Sequence, residues 1–236
     1  MKISVTIATY NRGAQLERTL RSLSAQTLDT GIWEVVVVNN NSSDDTAEVF
    51  QRFVDTHPQA GNMRMVFEPR QGLSFARNRS VEEARGEYII IIDDDVEVNE
   101  GFVEAYLDLF DTHPDADAAG GKVTPLYEFT PPQWLSPYAE RPIAGTLDLG
   151  RTVTLFKGNR YPTGANMAMR KSAFERYGMF DTQLGRTGKK LLGGEEKDFF
   201  MRVRRGGGKI YYTPDARILH IMPQSRLTRS YFSRVS

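Results

Sequence analysis

The sequence contains no cysteine. That excludes a disulfide framework, a thiol nucleophile and any cysteine-ligated zinc or iron–sulfur centre, and it fits a reducing compartment. Net charge is absent too, with 30 Lys and Arg against 30 Asp and Glu. Long apolar runs are missing: the longest, Tyr88–Ile92, is strand length, far short of the roughly 20 residues that span a membrane. A single lysine precedes Ile3–Thr9 and polar residues follow at once, so no secretory leader is expected. Internal repeats and low-complexity tracts are also lacking. Neither GxxxxGK[ST] nor a GxGxxG after the first strand occurs, which removes support for ordinary NTPase and dinucleotide sites. Gly206–Gly208 reads instead as a helix stop before a strand.

What is present is an ordinary globular composition, 40% hydrophobic and 25% charged over 236 residues. Such a chain suits one large domain or two packed halves. The neutral total is uneven. Residues 1–120 hold 10 basic and 21 acidic side chains, a net of −11, whereas residues 121–236 hold 20 and 9, a net of +11.

The first half alternates two periodicities. Strands are expected at Ile3–Ala8, Trp33–Val38, Met63–Phe67 and Tyr88–Ile92. Helices are expected at Ala14–Ala25, Asp44–Val54, Ser74–Ala84 and Gly101–Phe110. Continuous apolar strands, each followed by an amphipathic helix, predict a mostly parallel α/β sheet covered on both faces. We therefore divide the chain into an α/β half, 1–120, and a smaller α+β half, 121–236, packed as one domain. In the second half the five prolines of Pro125–Pro142 predict an irregular ordered excursion. A short strand (Asn166–Met169), helices (Lys171–Tyr177, Glu196–Arg205) and strands (Lys209–Thr213, Ala216–Ile221) follow.

Ligands in open α/β sheets bind beyond the carboxyl ends of the strands, and those ends are polar here. Strand 1 ends in Thr9-Tyr10-Asn11-Arg12, and strand 2 ends in Asn39-Asn40-Asn41-Ser42-Ser43-Asp44-Asp45. Turn and helix-cap chemistry accounts for Asn41–Asp45 as well as ligand binding does. Strand 4 ends in Asp93-Asp94-Asp95. Three carboxylates after a buried strand oppose one another's ionisation, and a divalent cation resolves that conflict. On an extended chain Asp93 and Asp95 share a side. Hard oxygen ligands suit Mg²⁺ or Mn²⁺, whose shell is completed by water and substrate phosphates.

Five segments then carry a resemblance: VTIATYNRGAQLERTLRSLSAQT, VVVVNNNSSDDT, GLSFARNRSVEEARGEYIIIIDDDV, PTGANMAMRKSAFERYGMFDTQLG and GGEEKDFFMRVRRGGGKIYYTPDARILH. In this order, from residue 5 to residue 220, they resemble the family 2 glycosyltransferases, inverting enzymes of the GT-A fold. The resemblance implies that Thr9, Tyr10, Asn11, Arg12, Asn39, Arg77, Asp93 and Asp94 bind a nucleoside-diphosphate sugar, most simply a UDP-sugar. It implies Asp95 and His220 as ligands of Mn²⁺ or Mg²⁺, and Gly164, Ala165, Asn166 and Glu195 on the sugar and acceptor side. Glu196 stands where the family places its catalytic base, with Asp198 and Glu195 as fallbacks. Asn39 and Glu196 replace the aspartates usual at these two places. Asn39 leaves the base open, and Glu196 displaces the carboxylate by one methylene.

Other readings of the late residues are structural. Glu195, Glu196 and Asp198 suit a helix start, His220 a satisfied buried histidine, and Arg77 a partner of Glu82 or Glu83. Tyr127, Phe129 and Trp134 read as loop packing first and as a sugar-stacking surface second. The alternatives to a transferase are a non-catalytic nucleotide-sugar-binding module and a related nucleotidyltransferase. The acceptor class stays open among glycans, lipid-linked intermediates and proteins, and no nucleic-acid partner is expected. Residues 200–236 carry eight Lys and Arg against Asp215 alone, as a solvated tail or a surface for anionic lipid. A cytoplasmic location is expected, with contact at the inner membrane face as its extension. The abrupt ending leads us to expect a natural chain that continues past Ser236.

Overall fold

The computed structural model describes residues 1–187 and 193–235. It opens with β1 (Ile3–Thr9), α1 (Gly13–Leu23), β2 (Trp33–Asn39), α2 (Thr46–Thr56), β3 (Met63–Phe67), α3 (Leu73–Glu83) and β4 (Tyr88–Ile92). These bounds lie within two residues of the predicted ones. A short strand, β5 (Val96–Val98), intervenes before α4 (Phe102–Thr112). The first four strands pair in parallel, with Ile3 opposite both Trp33 and Tyr88. Every residue of β2 and β4 is buried, as continuous apolar strands require. Each Ile or Val so buried contributes on the order of 1.5–3 kcal/mol. The apolar stripe of α1 (Leu16, Leu20, Leu23) is fully buried, and α1 packs on α2 and β5 while α3 packs on β1 and β2.

The second half comprises β6 (Ala116–Tyr127), α5 (Pro137–Ala144), β7 (Thr154–Leu155), β8 (Asn166–Arg170), α6 (Lys171–Tyr177), α7 (Glu195–Arg205), β9 (Lys209–Met222) and α8 (Arg229–Val235). Among the described residues one nine-stranded sheet runs β3-β2-β1-β4-β8-β6-β9-β5, with β7 pairing β9. β8 joins antiparallel to both β4 and β6, and β9 lies parallel to β6. β6 therefore crosses residue 120 without a break, and the two halves share a sheet. The two strands predicted at 209–221 are one, with a register shift opposite Gly121–Lys122. A Cβ at Gly121 would lie 2.0 Å from the Ala216 carbonyl oxygen, so this close approach requires glycine.

The proline-rich excursion is partly regular. Ser136 caps α5 by accepting from the Ala139 N–H, Pro137 takes the first helical turn, and Gly145 closes the helix at φ 63°. All three are favoured at those positions. Tyr127, Phe129 and Trp134 do pack inward, against a small core of Ile143, Ala144, Met222, Leu227 and Tyr231. That core joins α5 to α8, so the described residues 200–235 are not a solvated tail. Arg202 pairs with Asp198, Lys209 pairs with Asp115, Arg204 donates to the carbonyls of Gly158 and Arg160, and Arg226 is buried. No described helix is long and apolar enough to cross a membrane.

Candidate active site

The carboxyl ends of β1 and β4 open into a cleft of about 1270 Å³. Its walls also include the loop before β8, the start of α7 and the segment after β9. That volume exceeds the roughly 300–1,000 Å³ of a single-ligand pocket.

The strand ends are locked by their own side chains. Asn11 and Asn41 hold left-handed conformations at φ 52° and 62°, which asparagine tolerates. The Asn11 Oδ1 accepts from the N–H of Ser43 at 2.7 Å, and Asn39 Oδ1 accepts from Ser42 N–H at 2.9 Å. These two predicted donor-binding residues thus shape the loops and are not among the residues lining the cleft. Thr9, Tyr10 and Arg12 do line it, and so does Asn40, which sequence reasoning passed over.

The aspartates divide at a turn, Asp94–Asp95, between β4 and β5, not along the extended chain that the sequence suggests. Asp94 accepts from Thr9 Oγ1 at 2.8 Å and from Arg12 Nη1 at 2.9 Å. Burial and the adjacent Asp95 push its carboxyl up to about 6 against the pull of Arg12. Asp93 and Asp95 meet His220 instead, with ligand atoms all within 4.8 Å of one another. β5 explains how. It pairs antiparallel with β9, Val96 opposite His220, and Asp95 accepts the Ile221 N–H at 2.9 Å. This three-residue strand, absent from the sequence reading, joins two residues that lie far apart in the chain.

Asp95 sits among cations. Its Oδ2 accepts from Arg12 at 2.8 Å and from Arg226 at 3.0 Å. Burial alone would raise its carboxyl, but His220, Arg226 and Arg12 hold it well below the usual carboxylate range. The other oxygen, Oδ1, is buried, faces His220 Nε2 at 3.2 Å and has no other partner among the described residues. His220 Nδ1 donates to the Ala144 carbonyl at 2.8 Å. Burial would lower the pKa of this imidazole but Asp95 raises it, so without a cation Nε2 shares its proton with Asp95 Oδ1; once that proton leaves, Nε2 and Oδ1 turn lone pairs to one point. Two lone pairs held together by the fold suit a cation. The donor set fits Mn²⁺ or Mg²⁺, with Asp93, Asp95 and His220 to hold it and the open side of the cleft for water or phosphate.

On the opposite wall Arg77 is buried and donates to Glu195 at 2.5 Å, to Asp93 at 3.4 Å and to the Gly164 carbonyl at 3.2 Å. It has no bond to Glu82 or Glu83; Glu83 pairs with Arg64 and Arg79. The acidic start of α7 thus does more than meet a helix dipole. Glu196 is half-buried and lines the cleft. Burial and the neighbouring Glu195 push its carboxyl up to about 7, against the pull of Arg77. Asp198, the fallback, accepts from Arg202 one turn on at 2.9 Å and is not among the lining residues. Gly164 and Ala165 line the cleft. Asn166 is fully buried, donates to the carbonyls of Lys122 and Ala216, and accepts from the Tyr106 hydroxyl at 2.6 Å. The fold spends its amide on the sheet, beside the cleft rather than in it.

Residues 4–178 match glycosyl transferase family 2. The chain belongs to this family. It is 29% identical over 231 residues to the glucosyl-dolichyl phosphate glucuronosyltransferase of Haloferax volcanii, covering 93% of this chain and 69% of that protein. Against the succinoglycan biosynthesis protein ExoM of Rhizobium meliloti it is 26% identical over 238 residues, covering 99% of this chain and 71% of that one. The solved mannosyltransferase PcManGT of Pyrobaculum calidifontis, in complex with GDP-Man and Mn²⁺, superposes with a TM-score of 0.70 at 22% identity. It covers 98% of this chain, which spans 58% of that structure. TarS of S. aureus with UDP-GlcNAc gives 0.68 at 19% identity, over 95% of this chain and 59% of that one. The family 2 fold is therefore GT-A, and the protein is a glycosyltransferase. Arg226, like Asn40, lines the site of this transferase without being singled out by the sequence, where it is one charge in a basic stretch.

Proposed function

We propose that the protein transfers a sugar from a nucleoside-diphosphate donor, most simply a UDP-sugar, to an acceptor hydroxyl with inversion, dependent on a divalent cation. The observation that carries this reading is that one cleft is lined by Glu196 and by Asp93 and His220, two members of the cation cluster that buried Asp95 completes. A base and a diphosphate site on one cavity suit a single displacement at the anomeric carbon.

Thr9, Tyr10, Asn40 and Arg77 border the region for nucleotide and donor, and Asp93, Asp95 and His220 would hold Mn²⁺ or Mg²⁺. When bound, that ion supplies Lewis-acid neutralisation of the charge developing on the leaving diphosphate. Glu196 removes the acceptor proton as the hydroxyl oxygen attacks from the face opposite the leaving group. Its pKa near 7 matches the role, since a base titrating near working pH both ionises and accepts the proton. Glu195 is held by Arg77, and its Oε2 is buried without a hydrogen-bond partner among the described residues. The acceptor belongs to glycans, lipid-linked intermediates or proteins.

The test is a panel of UDP-, GDP- and dTDP-sugars with Mn²⁺, assaying released nucleoside diphosphate. Slow hydrolysis of one donor, abolished by EDTA, is expected. Release of pyrophosphate from an NTP, or turnover unchanged by EDTA, would overturn the reading.

A further inference from the structure

Arg226 is 8% exposed, yet it belongs to a short turn, Gln224–Arg226, between β9 and α8. Its Nη2 donates to Asp95 Oδ2 at 3.0 Å and its Nη1 lies 3.3 Å from His220 Nε2. One guanidinium thus engages two of the three residues that form the cation site. It also lines the cleft, as Ser225 and Pro223 before it do. Arg12 contacts Asp95 as well, but its Nη1 has Asp94 as a second partner at 2.9 Å. Arg226 has no such reserve among the described residues. An ion on Asp95 Oδ1 and His220 Nε2 takes the imidazole from Arg226 and sets a second positive charge beside it, leaving only Oδ2, which Arg12 shares, so the buried guanidinium is under-compensated, a costly state. The nearest relief is an anion in the cleft it already borders.

We infer that Arg226 is the resident counter-ion of the cleft: it holds Asp95 and His220 while the site is free of donor, and passes to the donor's diphosphate when a divalent cation takes those two ligands. This rests on the cation site and diphosphate donor proposed above. The exchange is between like charges, so the carboxylate cluster is never left bare, and no covalent step is involved. It also couples the turn and α8, which packs on α5, to occupancy of the site. The guanidinium fork suits two phosphate oxygens as well as it suits a carboxylate and an imidazole nitrogen.

The inference predicts effects of opposite sign from one substitution. In Arg226→Gln, affinity for Mn²⁺ alone, measured by calorimetry, rises about tenfold, the factor by which a competitor filling nine-tenths of the sites weakens a ligand. At saturating Mn²⁺, affinity for the nucleoside diphosphate that binds wild type most tightly falls by about ten- to a hundredfold, the loss of a charge-assisted pair. A merely loosened turn would weaken both. Arg226→Met, which keeps an aliphatic stem, serves where Arg226→Gln is poorly folded. In the wild type, Mn²⁺ with that diphosphate should speed amide exchange at Arg226 and Leu227, whose N–H groups now bond the carbonyls of Pro223 and Gln224. Equal Mn²⁺ affinity in wild type and variants, or an unchanged diphosphate affinity, overturns the inference alone. Absence of Mn²⁺ binding in every form, diphosphate present, overturns the cation site and this inference with it.

Discussion

Arg77 and Glu195, 118 residues apart in sequence, form a buried ion pair at 2.5 Å that ties the α3 helix to the start of α7. Both side chains are under 5% exposed. Removal of the cation leaves an uncompensated carboxylate beside Glu196. Arg77→Met should destabilise the protein by about 3–5 kcal/mol, read by urea denaturation. Arg77→Lys should recover part of the stability but little of the turnover, because one ammonium cannot reach Glu195, Asp93 and the Gly164 carbonyl together. Full activity in Arg77→Lys would contradict this view of the wall.

Glu196→Gln should leave nucleotide binding nearly intact and lower turnover by on the order of 10²–10⁴-fold. The wild-type rate should rise with pH through about 7, where Glu196 loses its proton, since the base works ionised. A pH–rate profile of both proteins checks this: the limb near 7 must be missing from the residual activity of the variant.

Stability should move the other way with pH. A carboxyl whose folded pKa lies above its unfolded value binds more protons in the native state, so its contribution falls as pH rises between the two. For Glu196 the interval runs from 4.5 to about 7. Wild type should therefore lose stability relative to Glu196→Gln across that range. Denaturant midpoints that stay parallel from pH 4.5 to 7.5 would refute the raised pKa.

A Cβ at Gly164 would lie 2.6 Å from Arg77 Nη2. Arg77 is pinned by three partners and cannot yield freely. Gly164→Ala should cost about 1–3 kcal/mol of stability and reduce turnover by displacing Glu195. Donor-free thermal melts and single-turnover rates would register the two effects separately.

Asn166→Ala should act on the fold. It strips partners from the Tyr106 hydroxyl and from the carbonyls of Lys122 and Ala216, which costs about 1–3 kcal/mol for each buried group left unsatisfied. Activity per folded molecule should change far less than the denaturation midpoint. A large fall in turnover at unchanged stability would return Asn166 to the sugar-binding surface.

Much of the first half was legible because its periodicities are local. YIIII and WEVVVV can only be buried strands, and Leu16, Leu20 and Leu23 define one helix face. The Asp93–Asp95 cluster was legible for a different reason: like charges beside a buried strand need an explanation that turn chemistry does not offer. What escaped reading depends on partners distant in sequence. The three residues of β5 have no signature apart from their pairing with β9. α5 carried Ser-Pro and Gly punctuation that the surrounding prolines masked. Asn11, Asn39 and Asn166 are residue types that serve a ligand or a backbone equally well, and only their hydrogen bonds separate the two. Arg226 was indistinguishable from its exposed neighbours until Asp95 was found beneath it.

The strand order carries a consequence for synthesis. β4 pairs with β1 on one side and with β8 on the other, so the edge of YIIII stays open until residues 166–170 have emerged. β5 in turn waits for β9, more than a hundred residues later. Exposed apolar edges of this kind invite association between nascent chains, and pairings so distant in sequence close slowly. The interval between making β4 and making β8 therefore leaves an aggregation-prone edge open, and the cation cluster can form only after that stage, once His220 has been made.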